Sequence, residues 1–244
     1  MSNAFLRHPL VRRYSDPFFN LIGQLLTPEW DSRLLGVSQL AIATIIDIGA
    51  NKGQFAKKMR RQFPHAQILA FEPIPDAYQV LKHWGDRQSN AVKTFNLALG
   101  EKEDSLEINS HVLFSASSSL LPTTDLCENL YPMVREQEKI KIKQSTLDYE
   151  IAQLTEPLAS DLLIKIDVQG YEDRVIRGGK QTLSQAKACI LEVSLDELYQ
   201  GQCQFRDIFY LLDDLGLHYA GNFDQMVAKD GHVRYLNALF LRSS

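Results

Sequence analysis

The sequence predicts an α/β fold: an open, mostly parallel sheet with helices on both faces and an antiparallel C-terminal strand. Three observations predict it. From about residue 41 onward, short runs rich in Ile, Leu, Val and Phe alternate with amphipathic segments of helical period. Most of these runs are apolar at consecutive rather than alternate positions, as strands buried on both faces of a parallel sheet require. Near the C-terminus the alternation gives way to extended runs joined by Gly221 and Asp230-Gly231, and an Asp-Gly pair between extended runs signals a hairpin.

The elements follow in chain order. Residues 1–40 read as a helical extension broken at Pro9, Pro17 and Pro28, with Phe18, Leu21, Ile22, Leu25 and Leu26 at helical spacing. Its Arg7, Arg12 and Arg13 mimic a transit peptide, but an amphipathic segment packed on the domain is the simpler reading. Residues 41–244 form the main domain. Its strand candidates are Ala43–Ile48, Gln67–Phe71, Val92–Leu97, Leu162–Ile166, Ala188–Val193 and Ala238–Leu241. Between them lie helix candidates Gly53–Phe63, Pro75–Trp84, Tyr171–Leu183 and Phe205–Leu215. Pro75 is tolerated because the first helical turn needs no N–H from it. Strand–helix alternation of this kind makes right-handed βαβ units. Residues 101–145 break the pattern: alternating Ser105–Asn109 and Lys139–Lys143 enclose a Ser-rich, Pro-punctuated stretch. They read as an insertion with its own short strands, and residues 110–140 as a lid. Leu217–Asn222, Met226–Lys229 and Val233–Leu241 read as three further strands.

Composition excludes several classes. With 244 residues, 45% hydrophobic and 23% charged, the chain can bury a sizeable core. A net charge of −4 gives no electrostatic reason to bind nucleic acid or anionic membrane. Cys127, Cys189 and Cys203 make no C-x-x-C pair, so neither a disulfide framework nor a cysteine zinc site is expected, which fits a reducing cytoplasm. No apolar run approaches the roughly 18 residues of a membrane span.

Four strand ends carry the chemistry. In Ile45–Phe55 a buried strand ends in Asp47, and a loop with Gly49 and Gly53 leads into a helix. Glycines there permit a sharp turn and close ligand approach. The spacing is neither the dinucleotide G-x-G-x-x-G nor a phosphate P-loop. Asp47 would attract a cationic ligand and repel a pyrophosphate, or would only cap the turn. In Leu69–Pro73, Glu72 stands at the tip of the next strand, where open α/β folds place a carboxylate to accept ribose hydroxyls, and Pro73 stops the strand. In Leu162–Glu172, Asp167 should reach the same cleft, and Lys165 inside an apolar strand needs a partner or a cleft. Glu172 serves either catalysis or the helix N-terminus. Glu192, at the end of Cys189–Val193, is either catalytic or a buried partner of Lys165.

These segments, with Asn96–Gly100 (NLALG), Ser145–Asp148 (STLD) and Val175–Gly179 (VIRGG), resemble the FkbM family of methyltransferases in order and spacing over residues 44–193. The resemblance implies a class I methyltransferase (Rossmann-like) fold with a seven-stranded sheet. It also implies transfer of a methyl group from S-adenosylmethionine to a hydroxyl of a small molecule such as a sugar or polyketide. By position, Asp47, Gly49, Asn51 and Gly53, with Phe55 beside them, would line the methionine end of the cofactor. Glu72 and Pro73 would hold the ribose, Ala98 and Leu99 would lie near the adenine, and Asp167 would border the transferring methyl. Gln169 departs from the family, in which many members carry an acid there. No metal is expected, and a homo-oligomer is compatible with the sequence.

Methyl transfer needs alignment above all, and a weakly acidic hydroxyl also needs a base. The candidate catalytic residues are Asp167, Glu192 and Lys165, with His111 of the insertion ranked below the acids. The competing readings are an NAD-dependent oxidoreductase, disfavoured by the loop spacing and Asp47, and a cofactor-binding subunit without activity.

Overall fold

Aliphatic strands with no polar face must be covered on both sides, and the computed structural model, which describes residues 37–243, shows how this chain does so. The elements are β1 (Thr44–Ile48), α1 (Gln54–Gln62), β2 (Gln67–Phe71), α2 (Pro75–Gly85), β3 (Val92–Phe95), β4 (Ala98–Leu99), β5 (Asp104–His111) and α3 (Asp125–Leu130). They continue with β6 (Gln137–Ser145), α4 (Leu147–Ala152), β7 (Leu162–Ile166), α5 (Glu172–Gly178), α6 (Lys180–Leu183), β8 (Ala186–Ser194), α7 (Phe205–Asp213), β9 (Leu217–Val227) and β10 (Val233–Arg242). The helical extension expected over residues 1–40 lies outside the described residues except for a 3-10 turn at Val37–Gln39 and the residue after it.

Seven strands form one sheet in the order β3-β2-β1-β7-β8-β10-β9. β10 is antiparallel to both its neighbours and the remaining pairs are parallel, so β10 alone runs against the rest. This matches the seven-stranded sheet with one antiparallel strand that the family resemblance implies. Successive residues of β1 part to opposite faces: Ile46 and Ile48 join Leu69, Ile164 and Leu191 on one side, and Ile45 joins Ala56, Met59, Ile68 and Leu163 on the other. Fully burying each such side chain stabilises by roughly 1.5–3 kcal/mol. The chain leaves β1 toward β2 and later returns on β1's other side as β7, so a crevice opens at the carboxyl ends of β1 and β7.

A second, three-stranded sheet has the order β4-β6-β5. Ser105–Asn109 pairs antiparallel with Lys139–Lys143, inside a longer ladder running from Asp104↔Gln144 to His111↔Gln137. Between these strands α3 forms where only loop was expected, because Thr124 caps it by accepting from Cys127 N at 3.2 Å.

Two other expectations are corrected. Tyr171–Leu183 is not one helix. It breaks at Gly179 into α5 and α6, and the small residues there allow contact that a side chain would block: a Cβ at Gly178 would lie 1.9 Å from Gly100 O. Leu217–Asn222 and Met226–Lys229 are not separate strands. Gly221, at φ 144°, is absorbed into β9 beside register shifts against β10, and the reversal occurs only around Asp230-Gly231. Among the described residues no helix is long and apolar enough to cross a membrane.

Candidate active site

The crevice is assembled from strand ends and the turns after them. Asp47 at the end of β1 is fully buried and accepts from Ala56 N at 3.2 Å, filling an open donor of the first turn of α1. Its other oxygen, Oδ1, has no hydrogen-bond partner and lies 3.7 Å from Lys165 Nζ. Burial raises the Asp47 pKa, opposed chiefly by Lys165. Asp47 thus caps the helix and also pairs with a cation, and it supports the loop from below. Neither it nor Gly53 reaches a cavity wall.

The loop itself is tightly constrained. Gly49, at φ 76°, comes so close to β7 that a Cβ would stand 1.9 Å from Asp167 O. Asn51 takes a left-handed φ of 48°, held by its N–H donating to Glu72 Oε2 at 2.7 Å. Glu72 Oε1 accepts from Ile74 N at 2.8 Å, so this one carboxylate ties the β1 loop to the β2 turn. Asn96 fixes the same turn, donating to Glu72 O and Pro73 O at 2.9 and 3.0 Å. Desolvation lifts the Glu72 pKa to about 7 against these hydrogen bonds.

Two cavities meet here. The first, of about 550 Å³ with its open mouth, is walled by Gly49, Asn51, Glu72, Pro73, Ala98, Leu99 and Asp167, and by Ile74 and Tyr171. Residues 115, 116 and 118–120 of the insertion close its outer side, with Asn51 Nδ2 donating to Ser115 Oγ at 3.3 Å. Apolar Ile74, Ala98 and Leu99 suit a base, and the Glu72 carboxylate retains lone pairs for hydroxyl donors. With Asp167 for a cationic end, the residues present fit S-adenosylmethionine.

The second cavity, about 850 Å³ with its open mouth, shares Gly49, Asn51, Ala116 and Asp167 with the first. Phe55, Ile190 and Phe223 give it apolar walls, and Gln54, Lys58, Glu192 and Asn237 give it polar ones. Phe55 therefore faces this cavity and not the first.

Asp167, Lys165 and Glu192 come together as the sequence implied, but with different partners. Lys165 Nζ sits 2.9 Å from Asp167 Oδ2 and is claimed by the two aspartates, not by Glu192. Gln169 Nε2 donates to Asp167 Oδ1 at 2.8 Å and to Glu192 Oε1 at 2.7 Å. Burial and the Asp167 charge push the Glu192 pKa up to about 8. Among the described residues no three His, Cys, Asp or Glu side chains are arranged to hold a metal.

Two candidates leave the site. Glu172 Oε1 accepts from Val168 N and Gly170 N, both at 3.1 Å, so Glu172 fastens the turn after β7 and stays buried beneath it. His111 is 1% exposed on β5, its Nδ1 2.6 Å from Ser117 Oγ, and lines neither cavity. Ser117 Oγ donates to Phe114 O, so the imidazole donates through Nδ1, and burial lowers its pKa to about 4. Sequence reasoning missed Tyr199, whose hydroxyl reaches Gln169 Oε1 at 2.9 Å from a loop 30 positions away.

Comparison with known proteins follows the same residues. The methyltransferase FkbM domain matches residues 47–219. The chain is 32% identical over 181 residues to the 2-O-methyltransferase NoeI of Sinorhizobium fredii, covering 71% of this chain and 72% of NoeI. It is 30% identical over 156 residues to the methyltransferase sdnD of Sordaria araneosa, covering 55% of this chain and 59% of sdnD. Among solved structures, magnesium protoporphyrin IX methyltransferase from Synechocystis PCC 6803 with bound SAM aligns at a TM-score of 0.45 and 12% identity, covering 96% of each chain.

Proposed function

The chain belongs to the FkbM methyltransferase family, and we propose that it methylates a hydroxyl oxygen of a small, uncharged acceptor held in the second cavity. The cofactor is S-adenosylmethionine, which when bound supplies an electrophilic methyl carbon on a sulfonium with a neutral thioether leaving group. The dehydrogenase reading of the loop and ribose acid is thereby displaced. In the proposed arrangement, the Gly49–Asn51 backbone and Asp167 hold the methionine end, Glu72 takes the ribose hydroxyls, and Ala98 and Leu99 border the adenine. Lys165 stays paired with Asp47 and Asp167. Residues 110–140 act as the lid.

The carrying observation is an asymmetry between two acids at the junction of the cavities. Both Asp167 oxygens are occupied, by Lys165 and Gln169. Glu192 accepts only from Gln169, through Oε1, and its Oε2 accepts no hydrogen bond among the described residues. Glu192 is therefore the base that takes the acceptor's hydroxyl proton, and a pKa near neutrality suits that work. A negatively charged acceptor would meet Asp167 and Glu192 at the point of transfer, which favours neutral alcohols such as sugars. Phe55 and Phe223 offer apolar contact and Asn237 a polar one for such a ring.

The test is turnover of methyl-labelled cofactor with methyl glycosides and simple polyols as acceptors. Glu192→Gln should lower kcat roughly 10²–10⁴-fold, the usual contribution of a general base, while S-adenosylhomocysteine binds as before. Undiminished turnover in Glu192→Gln would remove Glu192 from the chemistry.

A further inference from the structure

We propose that Gln169, oriented by Tyr199, is a positioning residue whose amide holds Asp167 and Glu192 in unequal roles, one paired with Lys165 and the other the proton acceptor. The proposal rests on Glu192 being the base.

The donor count of a primary amide fits the site. Its two N–H groups go one to each carboxylate, at 2.8 and 2.7 Å, and its carbonyl faces the Tyr199 hydroxyl at 2.9 Å. A flipped amide would aim its carbonyl at both carboxylates, so the charges set the orientation, and the Tyr199 hydroxyl supports it when its one proton points to Gln169 Oε1. Tyr199 is 2% exposed, and its hydroxyl lies between Ser117 O of the inserted segment at 2.7 Å and Gln169 Oε1, with one proton to donate between these two acceptors.

The backbone is held for this purpose. Gln169 adopts φ 56°, a left-handed conformation that residues with a Cβ rarely take. Glu172 pins the turn on both sides of it through Val168 N and Gly170 N, and Ser119 Oγ donates to Gln169 O at 2.7 Å. Strain secured from three directions, at the meeting point of two cavities, marks a functional constraint. Without the amide, the two acids would lose the donor between them and Glu192 would lose its one hydrogen bond. The charged and titratable groups around Glu192 are Asp167, Lys165, Glu172, Tyr131 and Tyr199, and Asn237, opposite it on β10, donates to Asp224.

The experiment follows the Glu192 carboxyl itself. Carbon-13 NMR of glutamate-labelled full-length protein gives its titration midpoint, with the resonance assigned by its loss in Glu192→Gln. Gln169→Met keeps the side-chain volume and removes both donors. It should raise the midpoint by about one pH unit, the size of one lost hydrogen bond to a carboxylate. Tyr199→Phe should move it in the same direction by less and should keep its affinity for S-adenosylhomocysteine. An unmoved midpoint in folded Gln169→Met overturns the proposal, and if that variant does not fold, an unmoved midpoint in Tyr199→Phe does so. A midpoint that moves in Gln169→Met alone overturns the part assigned to Tyr199. No acceptor is needed, so the outcome separates from the turnover test: a shifted midpoint with a fully active Glu192→Gln would sink the base assignment and leave the amide clamp standing.

Discussion

Glu72 does two jobs with one carboxylate. Its oxygens each take a backbone N–H, from Asn51 and Ile74, and so shape the wall they belong to. The remaining lone pairs are what a ribose would use. Glu72→Ala removes both functions and should weaken S-adenosylhomocysteine binding by roughly 1–3 kcal/mol, the range for hydrogen bonds to a charged group. Calorimetric titration checks it, and unchanged affinity in a folded variant would take Glu72 out of the proposed cofactor site. At this scale the sequence was informative where an acid ends a buried strand, because β geometry aims that side chain without help from distant loops. Asp167 and Glu192 were legible for the same reason. Asp47 was legible as an acid and as a cap of the turn, but not as a partner of Lys165, which lies on another strand. His111 was misplaced because nothing in a Ser-rich loop announces that β5 will bury it. Tyr199 carried no local signal at all: its meaning arises only when the chain before α7 meets the turn after β7.

At the scale of elements, the β1–α1 loop depends on its glycine more than on any side chain. Gly49→Ala would impose a Cβ both on a left-handed φ of 76° and on Asp167 O at 1.9 Å. β1 and β7 would have to part, so we expect a lower Tm together with loss of S-adenosylhomocysteine binding. A Tm within about a degree of wild type would mean the loop yields more cheaply than its geometry implies, since 1 kcal/mol corresponds to roughly 2–4 °C in a protein of this size. The inserted segment makes a second element-scale prediction. Ser115 meets Asn51, Ser119 meets Gln169 O, and the Tyr199 hydroxyl meets Ser117 O. A ligand that orders the 49–51 loop should therefore order residues 110–140. Limited proteolysis should cut there more slowly with S-adenosylhomocysteine present, and identical cutting would count against a lid. Strands buried on both faces were readable from their continuous apolar runs. β9 was not, because Gly221 reads locally as a turn and only pairing with β10 shows it to be a bulge inside one strand.

For the whole molecule, alternation of strands and helices was enough for a doubly covered sheet, while the position of β10 between β8 and β9 shows only in the strand pairing. The pattern of buried charge was not readable, yet it sets how stability responds to pH. Glu72 and Glu172 are raised to about 7 and Glu192 to about 8, each first by burial. A carboxyl with a raised folded pKa holds its proton longer folded than unfolded. Its contribution is complete below the ordinary value near 4.5 and is lost as pH climbs through 7 to 8. His111 works the other way, but only between about 4 and its ordinary 6.5, where the folded protein binds fewer protons and stability grows with pH. Above 6.5 the histidine is neutral in both states and drops out. The cofactor-free protein should therefore lose Tm steadily from pH 6.5 to 8, as thermal melts across that window would show. Glu192→Gln should flatten the upper part of the fall, because one of the three protons no longer differs between the states. A Tm that holds level or rises over this range would mean that these carboxyls are solvated more than their burial indicates, and with them the base that methyl transfer is proposed to use.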